Sequence, residues 1–591
     1  MRVARVQQRA RWPLQFLQGM MLFRSQSRET VAWQFERHAK RHPQRSFLLY
    51  ADRSYTYEEA NSIINRHAHA YHALGIRKGD VVALAIENRP EFLWHFFALL
   101  KLGAVASLLN THAQRDAMLH ALRSCRAKHL TVGSEIWPRL TAARAQLQEI
   151  TGGSVHVDID PEQPQPTELP DFGALTSNAA VDDPPENQQQ TLSDTAALIY
   201  TSGTTGLPKA AIVRHERLFR AGRLWASAAL RFVPGDVHYN CLPLYHSNAV
   251  MLATGSVVTA GVTMALARRF SVTSFWDDIR RYQATSFIYI GEVCRYLINA
   301  PASPRDREHG VRVISGNGLR ADVWSAFQAR FGIPRISEFY GATEGNCVAL
   351  NVSNVVGSCG TLMSGMALVR WDEQKQDFSR DARGFLVRVR PNEVGLLLGK
   401  IRRDRRFDGY TDRQASEQKI VRGAFKRDDA WFVTGDLLRY DNWRRLFFVD
   451  RLGDTFRWKG ENVATNEVEE QIARFEPVQQ AAVYGVRVPG VEGRAGMATM
   501  VLKQGERFNP DEFCAHIRAS LPGYAQPLFV RIAPELTTTG THKISKIKLQ
   551  KEGFDLASIR DPVYLLHPDR AAYIPLDAGL HDAIARGRLR L

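Results

Sequence analysis

A parallel α/β fold is what this sequence predicts, and three observations carry that expectation. Up to about residue 150, stretches with helical spacing alternate with short apolar runs, the pattern of βαβ units. The same alternation resumes at Ala196 and runs to about Val449. At 591 residues the chain is also too long for one hydrophobic core, so two or more domains are expected.

Taken in order, Thr30–Arg41 has helical spacing, Phe47–Tyr50 is a short apolar strand, and Tyr57–Leu74 is helical. Val81–Ile86 reads as a strand, Pro90–Lys101 as a helix ending at Gly103, and Ala104–Leu109 as another strand. Residues 151–193 shift to Gly, Pro, Asp and Gln and read as an irregular connection. A second unit begins near Asp450, with helices over Val463–Phe475 and Pro510–Leu521 and a strand over Gln480–Val488. No internal repeat of solenoid period is present.

Lys and Arg outnumber Asp and Glu by 77 to 61, a net charge of +16. The surplus favours an anionic partner such as a nucleotide, CoA or acidic lipid. It comes with no nucleic-acid-binding module, so no nucleic acid is expected. The six cysteines form no CxxC pair and no Cys/His cluster at zinc spacing. Scattered cysteines and an N-terminus without a secretory pattern fit a reducing, cytoplasmic location. No feature specifies an oligomeric state.

Two apolar stretches invite a membrane reading. Phe92–Leu109 is interrupted by His95 and Lys101, which are costly at mid-bilayer. Ala249–Ala267 has no charge, but Gly261 reads as a helix stop before a strand over Val262–Leu266, so a buried helix–turn–strand is expected. Residues 1–24 carry five arginines and no acid, with Trp12, Phe16, Met20 and Phe23 on one helical face. Such an arm suits a helix lying on an anionic membrane surface. A basic arm packed on its own protein or left disordered fits the composition equally well.

The sharpest local signal is Leu198-Ile-Tyr-Thr-Ser-Gly-Thr-Thr-Gly-Leu-Pro-Lys209. An apolar strand, Ala196–Tyr200, enters a loop of Thr201, Ser202, Gly203, Thr204, Thr205 and Gly206, with Lys209 beyond it. Glycines let a backbone approach an anion, and N–H groups with hydroxyls can encircle phosphate oxygens. The spacing is not that of the P-loop NTPases, whose lysine directly follows a glycine.

YTSGTTGLPK resembles the signature of the adenylate-forming superfamily, and further motifs follow in that family's order. They are Pro243-Leu-Tyr-His-Ser-Asn248, Ser315-Gly-Asn-Gly-Leu-Arg320, Tyr340-Gly-Ala-Thr-Glu-Gly345, Thr434-Gly-Asp436, Asp450-Arg-Leu-Gly-Asp454 and Thr537-Thr-Thr-Gly-Thr-His-Lys543. The resemblance implies a large N-terminal AMP-binding domain, 25–450, of parallel α/β subdomains plus a β-barrel-like subdomain. A small mobile α+β domain, 451–591, would follow it. The reaction implied is activation of a carboxylic acid by ATP and Mg²⁺ as its adenylate.

The same resemblance assigns roles. Glu344 is the Mg²⁺ ligand, with Thr204 beside it; a hard cation takes oxygen ligands and keeps waters, so one carboxylate plus phosphate oxygens suffices. Thr343 reaches the α-phosphate, and Tyr340, next to Gly341, supplies a flat face for adenine. Gly316, Asn317 and Gly318 form the adenine loop after a strand over Val311–Ser315, where α/β sheets place ligands. Asp436 reads the ribose hydroxyls and Arg451 adds a ribose or phosphate contact. Lys543 bridges carboxylate and α-phosphate during adenylation, where a cation stabilises developing charge. His246 stands where amino-acid-activating relatives carry an aspartate, so a substrate α-amine would find no counter-charge; the position lies near the carboxylate or the CoA thiol.

For the second half-reaction, Gly460 would border the pantetheine tunnel, and Gly453 or Asp454 would be the hinge. The closest likeness is to the fatty acid transport protein and long- and very-long-chain acyl-CoA synthetase branch. Its marks include FIYIGEVCRYL and DRLGDTFRWKGENV. Tyr289, Ile290, Gly291 and Tyr296 would then belong to the acyl channel. A CoA ligase for a bulky sterol, bile or carnitine-like acid, and an acyl-AMP ligase serving a carrier protein, stay open at this point.

Overall fold

The computed structural model describes residues 26–591, apart from 114, 164–166, 203–207, 373–374, 376, 404, 453–454, 459–460, 490, 492, 537–543, 545, 571 and 590. The basic arm over 1–24 therefore lies outside the described residues. The chain divides into two compact units. The first comprises residues up to Gly365 with Gly399–Phe432, and the second Met366–Leu398 with Val433–Leu591.

Two parallel sheets organise the first unit. One runs in the order 348–350, 336–341, 313–317, 286–290, 237–240, 263–266, 46–50 and 53–56. Its six inner strands are parallel, and each edge strand is antiparallel. The other runs 155–158, 129–133, 81–85, 105–108, 195–202 and 208–214, parallel except for the last pair. Strands covered on both faces read as unbroken apolar runs, which is why Val81–Ala85 and Val105–Leu108 were legible.

Helix boundaries follow local chemistry. Thr30 caps Val31–Arg41 by accepting from the Trp33 N–H, and Thr56 with Glu59 forms a capping box on Tyr57–Ala73. Pro90–Leu102 begins with proline and stops at Gly103. It is buried nearly throughout, and its two polar interruptions are partnered inside the protein. The Lys101 ammonium donates to Asn61, Asn65 and Asp183 at 2.6–2.8 Å. His95 bridges the Tyr71 hydroxyl and Asp158 at 2.8 and 2.9 Å. Arg89, at 2.5 Å, balances the charge of Asp158, so this buried cluster with His67 is neutralised by the protein's own groups.

The uncharged stretch after His246 is a helix, a turn and a strand. A π-helical segment, Asn248–Thr254, continues as an α-helix over Gly255–Ala260. Gly261 ends it with a φ of 66°, where a side chain would also collide with the His38 ring. The strand Thr263–Leu266 follows. Among the described residues no helix is long and apolar enough to cross a membrane.

Residues 151–193 are more ordered than their composition predicts. Val155–Asp158 is the edge strand of the second sheet, and Asp171 caps a short helix, Phe172–Thr176. The strand is four residues long between a Gly pair and an Asp/Pro-rich segment, too short for its alternation to stand out.

In the second unit a curled sheet places 445–451, 433–440, 394–398 and 366–369 side by side. A five-stranded sheet, 478–486, 495–502, 529–532, 563–567 and 572–575, follows. It packs with helices such as Thr465–Ala473 and Pro510–Ser520 around a core including Ile472, Tyr484, Met497 and Phe529. This is the α+β C-terminal domain the sequence predicts.

Candidate active site

The functional segments of the first unit leave the C-terminal ends of parallel strands, where α/β sheets present ligands. The strand Ser286–Ile290 passes into Gly291, Val313–Asn317 into Gly318, and Ile336–Gly341 into Thr343 and Glu344. The strand Val237–Asn240 leads to His246, Ser247 and Asn248.

These loops are cross-linked. The Ser247 and Thr343 hydroxyls lie 3.0 Å apart, and the Asn248 amide donates to the Asn317 side chain at 2.8 Å. The PLYHSN segment thus holds both the YGATEG and the SGNG segments. His246 is half-buried, its ring 4.3 Å from that of Tyr245. Tyr340 is buried in its strand, and Gly341 is paired with Val348 on the edge strand.

The two ends of the YTSGTTGLPK motif lie on paired strands. Thr195–Ser202 pairs antiparallel with Pro208–Arg214, setting Thr201 opposite Lys209 and Ser202 opposite Pro208. Lys209 therefore projects from a strand rather than from a mobile loop. Gly203, Thr204, Thr205 and Gly206 at the tip lie outside the described residues.

Two residues that sequence reasoning passed over complete this region. Gly409–Thr411 runs along the return strand, with the Ile212 N–H donating to Gly409 O and the Thr411 N–H to Ala210 O, both at 2.9 Å. This places the buried Tyr410 phenol where the Glu344 carboxylate and the Thr201 side chain both act on it. Burial, reinforced by Glu344, pushes the Tyr410 phenol well up, so it stays protonated. Arg217 donates to Ala342 O at 2.7 Å. Its charge is penalised by burial and supported by Asp408 and Glu344. The only sequence signal for Tyr410 is a Gly-Tyr pair in an acidic turn, Asp408-Gly-Tyr-Thr-Asp412.

Tyr289 is fully buried, its hydroxyl donating to Glu338. Ile290 is buried, and Tyr296 stacks on Phe270 with ring centroids 6.1 Å apart. Gly291 passes so close to the Gly316–Gly318 turn that an added Cβ would meet Gly318 O at 1.8 Å. Cys241 and Cys294 are buried nearby; burial holds the Cys241 thiol up at about 12 and Cys294 well above its usual range. Neither is a ready nucleophile.

In the second unit, Asp436 and Arg451 are cross-strand partners, with Arg451 Nε 3.5 Å from Asp436 Oδ1. The Asp436 N–H is held by Thr434 Oγ1 at 3.0 Å. Asp450 is buried and accepts from the Thr465 N–H at 2.6 Å and the Asn466 side chain at 3.0 Å. It thereby ties the last strand of the curled sheet to the first helix of the C-terminal fold. Lys543, Gly460, Gly453 and Asp454 lie outside the described residues.

A divalent cation fits the donor set around Glu344. The carboxylate is half-buried among oxygen groups, Tyr410 and Thr201, which is the hard chemistry Mg²⁺ requires.

The architecture and this cluster define an adenylate-forming enzyme. A model of the AMP-binding enzyme family matches residues 35–394, and one of the AMP-binding enzyme C-terminal domain matches 467–543. The chain belongs to that family, in the branch of fatty acid transport proteins and medium- and long-chain fatty-acid CoA ligases. It is 40% identical to the medium/long-chain-fatty-acid–CoA ligase FadD6 of Mycobacterium tuberculosis, covering 96% of this chain and 93% of that protein. It is 39% identical to long-chain fatty acid transport protein 1 of Mus musculus, over 95% of this chain and 88% of the relative. Among solved structures, an anthranilate CoA ligase with anthranoyl-AMP superposes with a TM-score of 0.77 at 22% identity, over 91% of this chain and 99% of the other. ATP-bound MatB from Rhodopseudomonas palustris gives 0.74 at 22% identity, over 89% and 99%.

Proposed function

We propose that this protein is an ATP- and Mg²⁺-dependent medium- to long-chain fatty acyl-CoA synthetase, converting fatty acid, ATP and CoA to acyl-CoA, AMP and pyrophosphate. The observation that carries the reading is the cross-linked cluster of Thr201, Ser247, Thr343, Glu344 and Tyr410 at strand ends, beside the adenine loop.

A fatty carboxylate is a poor acyl donor because oxide does not leave. Attack of its oxygen on the α-phosphorus displaces pyrophosphate and makes a mixed anhydride, from which AMP leaves readily. The site's task is to bring several anions together and shield them from one another. Lys209 and the hairpin loop bind phosphate, while Thr343, oriented by Ser247, donates toward the α-phosphate. Tyr340 and the Gly316–Gly318 turn bracket adenine; Asp436 and Arg451 take the ribose. Glu344, oriented by Tyr410, would hold Mg²⁺, which supplies charge neutralisation on the phosphates. Lys543 would bridge carboxylate and α-phosphate.

Transfer to CoA follows when 451–591 turns about Gly453 or Asp454 and brings Gly460 to the pantetheine path. The CoA thiolate then attacks the acyl carbon and AMP departs. His246, with no acidic neighbour in PLYHSNA, fits a plain carboxylate over an amino acid. We also propose a cytoplasmic protein whose arm, 1–24, contacts anionic membrane. The test is a thioester assay with ATP·Mg²⁺ and CoA across medium-, long- and very-long-chain acids. Absence of CoA-dependent product with every acid would overturn the reading.

A further inference from the structure

A carboxylate buried away from the substrates' charges needs another reason to exist, because burying it costs stability unless donors surround it. Glu338 is such a group, 4% exposed in the strand Ile336–Gly341, just ahead of Tyr340. Its partners come from the two preceding strands of the sheet. The Tyr289 hydroxyl donates to Oε2. The Leu319 N–H donates to Oε1 at 3.0 Å, and the neighbouring Gly318 N–H also favours the ionised carboxylate. Burial pushes the Glu338 carboxyl up to about 8, and these three donors pull against it.

The segments it joins are interlocked by their backbones as well. An added Cβ on Gly291 would meet Gly318 O at 1.8 Å, and one on Gly316 would meet Tyr289 O at 2.2 Å and its ring at 2.5 Å. The turn carrying Asn317 therefore has no freedom independent of Ser286–Ile290.

We propose that Glu338 is a positioning residue that latches the Gly316–Leu319 turn to the Ser286–Ile290 strand, so that the nucleotide base and the acyl substrate are placed by one shared carboxylate. It touches neither substrate and acts through Gly318, Leu319 and Tyr289. The assignment rests on the adenylation reading for the roles of those two segments.

The test uses the full chain with Glu338→Gln, Tyr289→Phe and the pair. At a pH above 8, where the carboxyl is ionised, glutamine keeps the size but turns one acceptor into a donor facing other donors. A fluorescent ATP analogue, titrated without any acid, is expected to bind on the order of tenfold more weakly to Glu338→Gln. KM for ATP and for the fatty acid should both rise while KM for CoA holds. The pair should lose less than the product of the two single effects, because both remove the same contact. Unchanged nucleotide affinity, or multiplicative losses in the pair, would overturn the latch. A uniform rise in all three KM values with a lowered Tm would do so too, marking a merely structural role. Should Glu338→Gln not fold, Tyr289→Phe alone must weaken nucleotide binding. The nucleotide titration needs no turnover, so inactive wild-type protein would count against the acyl-CoA reading and not against the latch.

Discussion

The Tyr410 phenol is buried beside the Glu344 carboxylate, which together with burial pushes its pKa up, while Thr201 at the edge of the hairpin acts on it in the opposite direction. In the proposed reaction Glu344 would meet a metal and three phosphates at a fixed place, and such a carboxylate benefits from a second group holding it there. Tyr410→Phe removes the hydroxyl beside this carboxylate, and a hydrogen bond to a charged acceptor is worth about 1.5–3 kcal/mol. Adenylation should slow by roughly ten- to a hundredfold, and half-maximal ATP–pyrophosphate exchange should need more Mg²⁺. An unchanged exchange rate at every Mg²⁺ concentration would show that the hydroxyl holds nothing catalysis needs.

Gly291→Ala tests the backbone approach to the Gly316–Gly318 turn, proposed to hold adenine. The new methyl would sit 1.8 Å from Gly318 O, a clash with backbone that no rotamer relieves. Overpacking of this kind costs about 1–3 kcal/mol. Tm should fall and nucleotide affinity should fall with it, since the loop itself must yield. A variant with normal Tm and normal nucleotide binding would mean the two segments part freely.

What could be read from the sequence, and what could not, divides along physical lines. Parallel strands buried on both faces announce themselves as apolar runs, so Val81–Ala85 and Thr263–Leu266 were legible. The site motifs were legible because glycines, hydroxyls and acids cluster locally in them. Tyr410 was not, because its two partners come from distant segments and only the fold brings them together. Lys209 was legible as part of the motif, but its position on a hairpin strand depends on pairing across the loop. Glu338 left a trace that was passed over: an acid in the middle of an otherwise apolar strand, Ile-Ser-Glu-Phe-Tyr.

Acid should destabilise the first unit through its buried imidazoles. Burial holds His67, His129 and His238 down to about 3 and His215 down to about 4. Their unfolded value is 6.5, so below it the unfolded chain binds protons that the folded chain refuses. The stability they allow is fully present above about pH 6.5 and falls as pH drops toward 4, by about 1.4 kcal/mol per pH unit for each fully excluded proton. Asp158, held low by Arg89 and His95, adds a loss in the same direction at still lower pH. Urea midpoints measured from pH 8 to pH 4.5 should therefore decline steeply below about 6.5. His238→Asn should flatten the slope, and a pH-independent midpoint would contradict the neutral burial of these rings.

The role proposed for Lys543 predicts that its loss separates the two half-reactions. If it bridges the fatty carboxylate and the α-phosphate, Lys543→Ala removes the cation only from the step in which that charge develops. Adenylation should then fall by several orders of magnitude, whereas thioester formation from preformed acyl-AMP and CoA should stay within a few fold of wild type. The complementary variant is Gly460→Leu, whose side chain would narrow the pantetheine path and spare ATP–pyrophosphate exchange. Stopped-flow release of pyrophosphate and a direct acyl-AMP chase read the two steps independently. The crossed pattern, each variant defective in one half-reaction, is what a domain presenting two different faces to one site requires. Equal damage to both steps by Lys543→Ala would mean that a single arrangement serves both, and the hinge at Gly453 or Asp454 would then have no catalytic task.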